Sequence, residues 1–322
     1  MRLVRSAFAS AQPHGVARCR RGRGLSSGLS RPKQLNVAIA QLRERDSIES
    51  GLSRIVDFIG EGARSGADVV VFPEAAVTGY GPELVARASA HVVAALEDAV
   101  RSACQRHSVA AVLGTPRGGF NSALVIDRHG SEVGRQHKMV LVPTDLPWSQ
   151  PGETLHVFSL CGVDCSVIIC HDKRYPELCR LPVLAGSRVI FYISAESYHD
   201  DLPLPAPRDG KPWSAARLER EMGVYTAQVQ ARAVENCVWL VKSNWAGDAE
   251  VPSRGSHGRS CVVDPTGIVV CEAGIYDEAL LCHTLELGNA SALYAEKSVQ
   301  PENALSGWWR DALARVQRLP GD

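Results

Sequence analysis

From Leu35 to Leu42 the chain alternates, with Leu35, Val37 and Ile39 separated by Asn36, Ala38 and Ala40, which is the period of a β-strand. The period then lengthens. Ile48, Leu52, Ile55 and Ile59 recur at helical spacing, with Ser47 or Asp46 as a starting cap and Gly66 as a stop. Val69-Val70-Val71-Phe72 has no polar alternation, so it predicts a strand buried on both faces. A second helical stretch, from about Glu83 to His107, carries Leu84, Ala88, Val92, Leu96 and Val100, and a buried strand follows at Val109 to Leu113. The opening third therefore predicts β-α-β-α-β.

Beyond it the pattern becomes strands joined by tight turns. Ser122 to Asp127 and Glu132 to Lys138 flank Arg128-His129-Gly130, and Val157 to Leu160 and Val163 to Cys170 flank Cys161-Gly162. Pro176 opens a short helix, Arg188 to Ser194 is a buried strand, and Tyr198 to Trp213 is a loop rich in Pro and Asp. A long helix from Ala215 to Asn236 precedes strands at Val238 to Ser243, Gly258 to Asp264, Ile268 to Cys271 and Ala279 to Leu285. With no repeat and no linker after Pro32, a single α/β domain with a mixed sheet is expected over residues 35–288. Residues 289–322 form a C-terminal tail in which Trp308 and Trp309 suggest docking on a partner subunit.

The formal charge of zero over 322 residues conceals an uneven distribution. Arg2, Arg5, Arg18, Arg20, Arg21, Arg23, Arg31 and Lys33 precede the first acidic residue, Glu44. From Leu35 on, 27 basic residues face 35 acidic ones, a net of −8. Residues 1–34 thus form a basic, Ser- and Ala-containing leader of the transit-peptide kind, expected to be disordered. It implies a mitochondrial or other organellar address if it acts as a transit peptide, and a cytoplasmic one otherwise. An acidic remainder argues against nucleic acid as a partner, and no apolar run long enough to span a bilayer is present. The ten cysteines are scattered without CxxC pairs, which reads as free thiols and no metal site.

Three segments end a strand in a reactive side chain. Val69 to Phe72 leads through Pro73 to the carboxylate of Glu74, Glu132 to Lys138 ends in an amine, and Val167-Ile168-Ile169-Cys170 ends in a thiol. Strand ends are where α/β sheets assemble sites. A thiol needs a base or a cation to become a nucleophile. A carboxylate can take its proton and return it to a leaving amine, and an ammonium can stabilise an oxyanion. Such a trio supports acyl transfer from a carbon–nitrogen bond without metal or cofactor.

The segments Phe72-Pro73-Glu74-Ala75-Ala76-Val77-Thr78-Gly79-Tyr80, Gly134-Arg135-Gln136-His137-Lys138 and Ile169-Cys170-His171-Asp172-Lys173-Arg174-Tyr175-Pro176-Glu177-Leu178 resemble the three catalytic motifs of the nitrilase, or carbon–nitrogen hydrolase, superfamily. Gln230 to Asn236 and His257 to Gly267 agree with it too, so the resemblance runs from about Leu35 to Leu285. It implies an α-β-β-α sandwich with mixed sheets that becomes four-layered on homodimerisation. It implies Cys170 as the nucleophile that forms a thioester, Glu74 as general base and Lys138 as stabiliser of the tetrahedral intermediate, with the His171 N–H completing the oxyanion hole. The expected reaction is hydrolysis of a linear amide or an N-carbamoyl compound, with no cofactor. Nitrile hydrolysis, acyl transfer to an amine and a non-catalytic binding protein on the same fold are the alternatives.

Two features depart from the family pattern. Many members carry a second Glu in the loop after the Lys, where this chain has Asp145, a candidate to orient Lys138 or the substrate. An aromatic residue often follows the Cys, where this chain has His171. Tyr80, Glu196 and Asn244 follow matched strand ends and are expected to line the pocket. Asp172, Arg174 and Glu177 are expected to brace the nucleophile loop. In the Tyr198 to Trp213 loop, Asp200, Asp201, Arg208, Asp209 and Lys211 are read as a solvated excursion.

Overall fold

The computed structural model describes residues 32–197, 215–248 and 256–322. The leader up to Arg31 and the Tyr198 to Trp213 loop lie outside the described residues.

Two helices of the described chain begin at serine caps. Ser47 accepts a hydrogen bond from Ser50 N–H to open α1 (Ile48–Arg64). The expected helix from Glu83 to His107 is two helices, α2 (Pro82–Ala86) and α3 (Ala90–His107). Ser89 breaks it, because its extended backbone and its hydroxyl, bonded to Val92 N–H, start a new N-terminus. Capping overrode a nearly continuous apolar periodicity.

One six-stranded sheet contains β1 (Gln34–Gln41), β2 (Val69–Val71), β3 (Ala110–Arg117), β4 (Phe120–Ile126), β5 (Glu132–His137) and β12 (Ala279–Glu286), in the order β12-β1-β2-β3-β4-β5. β1, β2 and β3 are parallel, and the remaining pairs are antiparallel. The other sheet contains β6 (Leu155–Leu160), β7 (Val163–Ile169), β8 (Val189–Ile193), β9 (Trp239–Ser243), β10 (Cys261–Val263), β11 (Val269–Glu272) and β13 (Val316–Leu319), in the order β11-β10-β9-β8-β7-β6-β13. It is also mixed, with β7, β8 and β9 parallel.

Alternate residues of the strands fill different layers. Val37, Ile39, Val71 and Val112 of the first sheet pack against Phe158, Val167, Ile169, Phe191 and Val241 of the second. The intervening Ala38, Val70, Phe72, Ala111 and Leu113 face Ile55, Phe58 and Ile59 of α1 and Leu96 and Val100 of α3. Ile168, Ile190, Tyr192 and Leu240 face α4 (Pro176–Leu184) and α5 (Ala215–Val234). The result is an α-β-β-α sandwich, as the period-2 pattern requires once both faces of each sheet are covered.

The segment after 288 is not a simple tail. It forms α6 (Leu293–Ser298), α7 (Ser306–Leu313) and then β13, which extends the second sheet in parallel to β6, with Val316 opposite Leu155. Arg318 pairs with Asp164, and Asp322 pairs with Arg128 of the β4–β5 turn. Trp308 remains exposed.

Candidate active site

Each member of the expected trio follows a strand, Lys138 and Cys170 directly and Glu74 after two residues. β2 leads through Phe72-Pro73 into a bend at which Ala75 takes φ 51°. Gly114 of β3 lies under that bend. A Cβ there would stand 2.0 Å from Pro73 O and 2.7 Å from Glu74 Cα, so only glycine lets the segment pass. Lys138 follows β5, and its N–H donates to Asn121 O at 2.8 Å. Cys170 follows β7 with φ 48° and opens a 3-10 turn, Cys170–Arg174. A left-handed backbone at a non-glycine residue costs about 1–3 kcal/mol and persists only where its surroundings fix it. Asp172 supplies that restraint. Its buried carboxylate accepts from Ile169 N–H at 3.2 Å, Met139 N–H at 3.2 Å and Val140 N–H at 2.9 Å, tying the nucleophile turn to the chain after Lys138.

The side chains converge. Lys138 Nζ lies 2.8 Å from Glu74 Oε1 and 2.8 Å from Asp145 Oδ2, with all three groups fully buried. Burial opposes the Lys138 ammonium, but Glu74, Cys170, Tyr80 and Asp145 outweigh it and hold its pKa well above the usual lysine value. Burial, reinforced by the Glu74 carboxylate, pushes the Cys170 thiol up to about 11, against the pull of Lys138 and Lys173. The nucleophile therefore rests as a thiol beside a fixed cation. Burial and the nearby cations Arg174, Lys138 and Lys173 press His171 down to about 4, so its half-buried ring is neutral at pH 7. That ring packs edge-on to Tyr175.

Asp145 belongs to the cluster. Besides Lys138 it accepts from Tyr80 Oη at 3.0 Å and from Val142 N–H at 3.0 Å. Tyr80 thus holds Asp145 with its hydroxyl while it lines the adjoining cavity. Glu196 and Asn244 require correction as pocket residues. The Glu196 carboxylate is buried and bound by Lys173, by Lys242 at 2.6 Å and by Tyr192 Oη at 2.7 Å. The Asn244 side chain accepts from Glu196 N–H at 3.0 Å and donates to Gly258 O at 2.9 Å. Both brace the wall, and it is their neighbours Ala195, Ser197, Trp245 and Ala246 that line the cavity. Alternation after the strand ends turned the expected residues inward and the adjacent ones outward.

Asn121 was missed, although its Nδ2 donates to Glu74 Oε1 at 2.7 Å and reaches Asp145 Oδ1 at 3.3 Å. A polar residue opening a strand beside a turn gave no distinctive signal. Ala195 N–H donates to Glu74 Oε2 at 2.8 Å, and Trp245 Nε1 donates to Glu74 O at 2.8 Å. A cavity of about 240 Å³ therefore opens beside Glu74 and Asp145, walled by Tyr80, Ala195 and Trp245. Among the described residues no group of three or more His, Cys, Asp or Glu side chains is placed to hold a metal ion. No described helix is long and apolar enough to cross a membrane.

A buried carboxylate and ammonium and a partly buried thiol at three strand ends of an α-β-β-α sandwich define a thiol hydrolase of the acyl-transfer kind. Comparison makes the class specific: the chain belongs to the carbon-nitrogen hydrolase family, whose model matches residues 36–295. It is 26% identical over 261 residues to the deaminated glutathione amidase of Synechocystis, spanning 74% of this chain and 87% of that protein. It is 31% identical over 181 residues to the N-carbamoylputrescine amidase of Arabidopsis thaliana, spanning 52% and 55%. Among solved structures, the amidase of Nesterenkonia sp. AN1 superposes with a TM-score of 0.69 at 25% identity, covering 85% of this chain and 99% of that one. This protein is a cysteine-dependent hydrolase of small-molecule carbon–nitrogen bonds.

Proposed function

We propose that the substrate is a linear amide or an N-carbamoyl compound and that Glu74, Lys138 and Cys170 carry the reaction. The observation that carries this reading is the buried contact of Lys138 with both Glu74 and Asp145 beside a Cys170 thiol whose ionisation burial opposes. Glu74 takes the proton from Cys170 Sγ as the sulfur attacks the carbonyl carbon. The Lys138 ammonium and the His171 N–H, a free donor of the first turn of the 3-10 segment, stabilise the oxyanion. Glu74 then gives its proton to the leaving nitrogen, the carbon–nitrogen bond breaks, and ammonia or an amine departs from the thioester. Glu74 next deprotonates a water, which adds to the thioester. The acid leaves, and the Cys170 thiolate recovers its proton from Glu74. Asp145 and Asn121 position Lys138 and Glu74.

The amide and carbamoyl substrates named for the Synechocystis and Arabidopsis relatives support this substrate class. Val224 and Val234 of α5 and the nearby Tyr175 expose apolar surface on one outer helical layer. That surface supports homodimerisation through helical faces into four layers. Mass spectrometry of protein exposed to a panel of amides tests the chemistry. A thioester adduct on Cys170 that is absent from Cys170→Ala is expected, and turnover that survives Cys170→Ala refutes it.

A further inference from the structure

The amide reading leaves open what else the substrate carries, and the cavity wall bears on that. Among the described residues Glu44 is the only charged side chain that lines the cavity beside Glu74. The local backbone explains its direction. The segment following β1 is pinned to the opposite wall by Ala246 N–H, which donates to Leu42 O at 2.7 Å. Its arginines are drawn elsewhere: Arg43 donates to Tyr276 O at 2.6 Å, and Arg45 grips both oxygens of Glu278 at 2.8 and 2.7 Å. Glu44, exposed between them, has no ion-pair or hydrogen-bond partner among the described residues.

The rest of the wall suits an alkyl chain that ends in a cation. Tyr80 and Trp245 offer aromatic surface, and Gly79, Ala195 and Ala246 offer apolar surface. From Leu35 on, the net charge of −8 also favours the approach of a cation. An adjoining recess shares Glu44, Gly79 and Trp245 with this cavity and is lined by Arg43, Arg45, Arg54 and Arg87. Arg45 and Arg54 are neutralised by Glu278, and Arg54 also pairs with Glu61. Exposed Arg87 makes an anionic tail the competing outcome. We propose that the substrate bears a protonated amine at the end remote from the scissile carbon–nitrogen bond, held by Glu44 against the Tyr80 and Trp245 side of the cavity. This rests on the amide reading above.

Three amides of matched length test it: 4-aminobutanamide, pentanamide and succinamate, which are cationic, neutral and anionic. The kcat/KM for the cationic amide is expected to exceed that for the neutral one by about threefold to fivefold, the scale of one solvent-accessible ion pair. That ratio falls to about one in Glu44→Gln and inverts towards succinamate in Glu44→Lys. Preference for the neutral or anionic amide in the parent, or a ratio unchanged by Glu44→Gln, overturns the proposal. Calorimetric binding of the same three compounds to Cys170→Ala reads the tail preference without turnover. If none is hydrolysed but the cationic one binds best, the amide reading fails and the Glu44 assignment stands. If all are hydrolysed with no charge preference, the reverse holds.

Discussion

Asn in place of Asp145 tests whether the second carboxylate beside Lys138 matters for its charge. In the parent, Oδ2 accepts from Lys138 Nζ at 2.8 Å and Val142 N–H at 3.0 Å, while Oδ1 accepts from Tyr80 Oη at 3.0 Å and Asn121 Nδ2 at 3.3 Å. Every contact is a donor aimed at the carboxylate, so either orientation of an amide sets its NH₂ against two donors. Lys138 simultaneously loses one of its two counterions in a fully buried site. Breaking one side of a buried ion pair costs about 3–5 kcal/mol. At about 2 °C per kcal/mol for a domain of this size, Asp145→Asn should lower Tm by roughly 6–10 °C. Displacing an oxyanion donor lowers kcat by about 10²–10³, read as initial rates of ammonia release. Asp145→Glu, which keeps the charge on one more methylene, should recover part of the rate. A Tm within about 2 °C of the parent and a rate within about threefold of it would refute the reasoning.

Two further perturbations probe the same neighbourhood. Asn121→Leu removes the 2.7 Å bond to Glu74 while keeping the same heavy-atom branching, and hydrogen bonds to charged groups contribute about 1.5–3 kcal/mol. Its kcat/KM should fall about 10- to 100-fold, and an unchanged rate would mean that Glu74 is held without Asn121. His171→Phe addresses acid stability. The folded His171 titrates near 4, below the ordinary 6.5, so between those values the unfolded chain takes up a proton that the folded chain refuses. That contribution is fully present above pH 6.5 and is lost as pH falls towards 4. Thermal melts at pH 7.5 and 5 should show a smaller acid-induced drop in Tm for the variant than for the parent. An equal drop would assign the acid sensitivity to other groups.

The trio was legible in the sequence because each member closes a predicted strand, Glu74 and Cys170 after apolar runs, and the β-α-β-α-β opening was legible because strand and helix periods differ. The sandwich was less legible. Val70 and Val71 read as doubly buried, but nothing in a single run says that one faces a second sheet and the other a helix layer. β13 escaped because Val316 to Leu319 is short and amphipathic, and its pairing with β6 joins residues distant in sequence. Glu196 and Asn244 stand at the right strand ends with the wrong side-chain direction, since direction depends on the turn that follows. Asp145 could be placed by its distance from Lys138, but only the folded loop, with Asp145 N–H donating to Val142 O at 2.8 Å, brings its carboxylate back onto the lysine.

The charges of the site explain why two carboxylates surround one ammonium. The proposed reaction starts from two carboxylates, Glu74 and Asp145, one ammonium, Lys138, and the Cys170 thiol, a net of one negative charge. When Glu74 takes the thiol proton the negative charge moves to sulfur and then to the substrate oxygen, and the net is unchanged. No charge has to be created in a medium where an unpaired one is expensive; it moves around a fixed ammonium. With Glu74 as its sole counterion, Lys138 would lose it at the moment of proton transfer. Asp145 keeps the lysine paired through that step, and burial keeps the thiol protonated until a substrate carbonyl is present to accept the electron pair. The cost of Asp145→Asn should therefore fall more on kcat than on KM, because the second carboxylate matters most after the proton has moved.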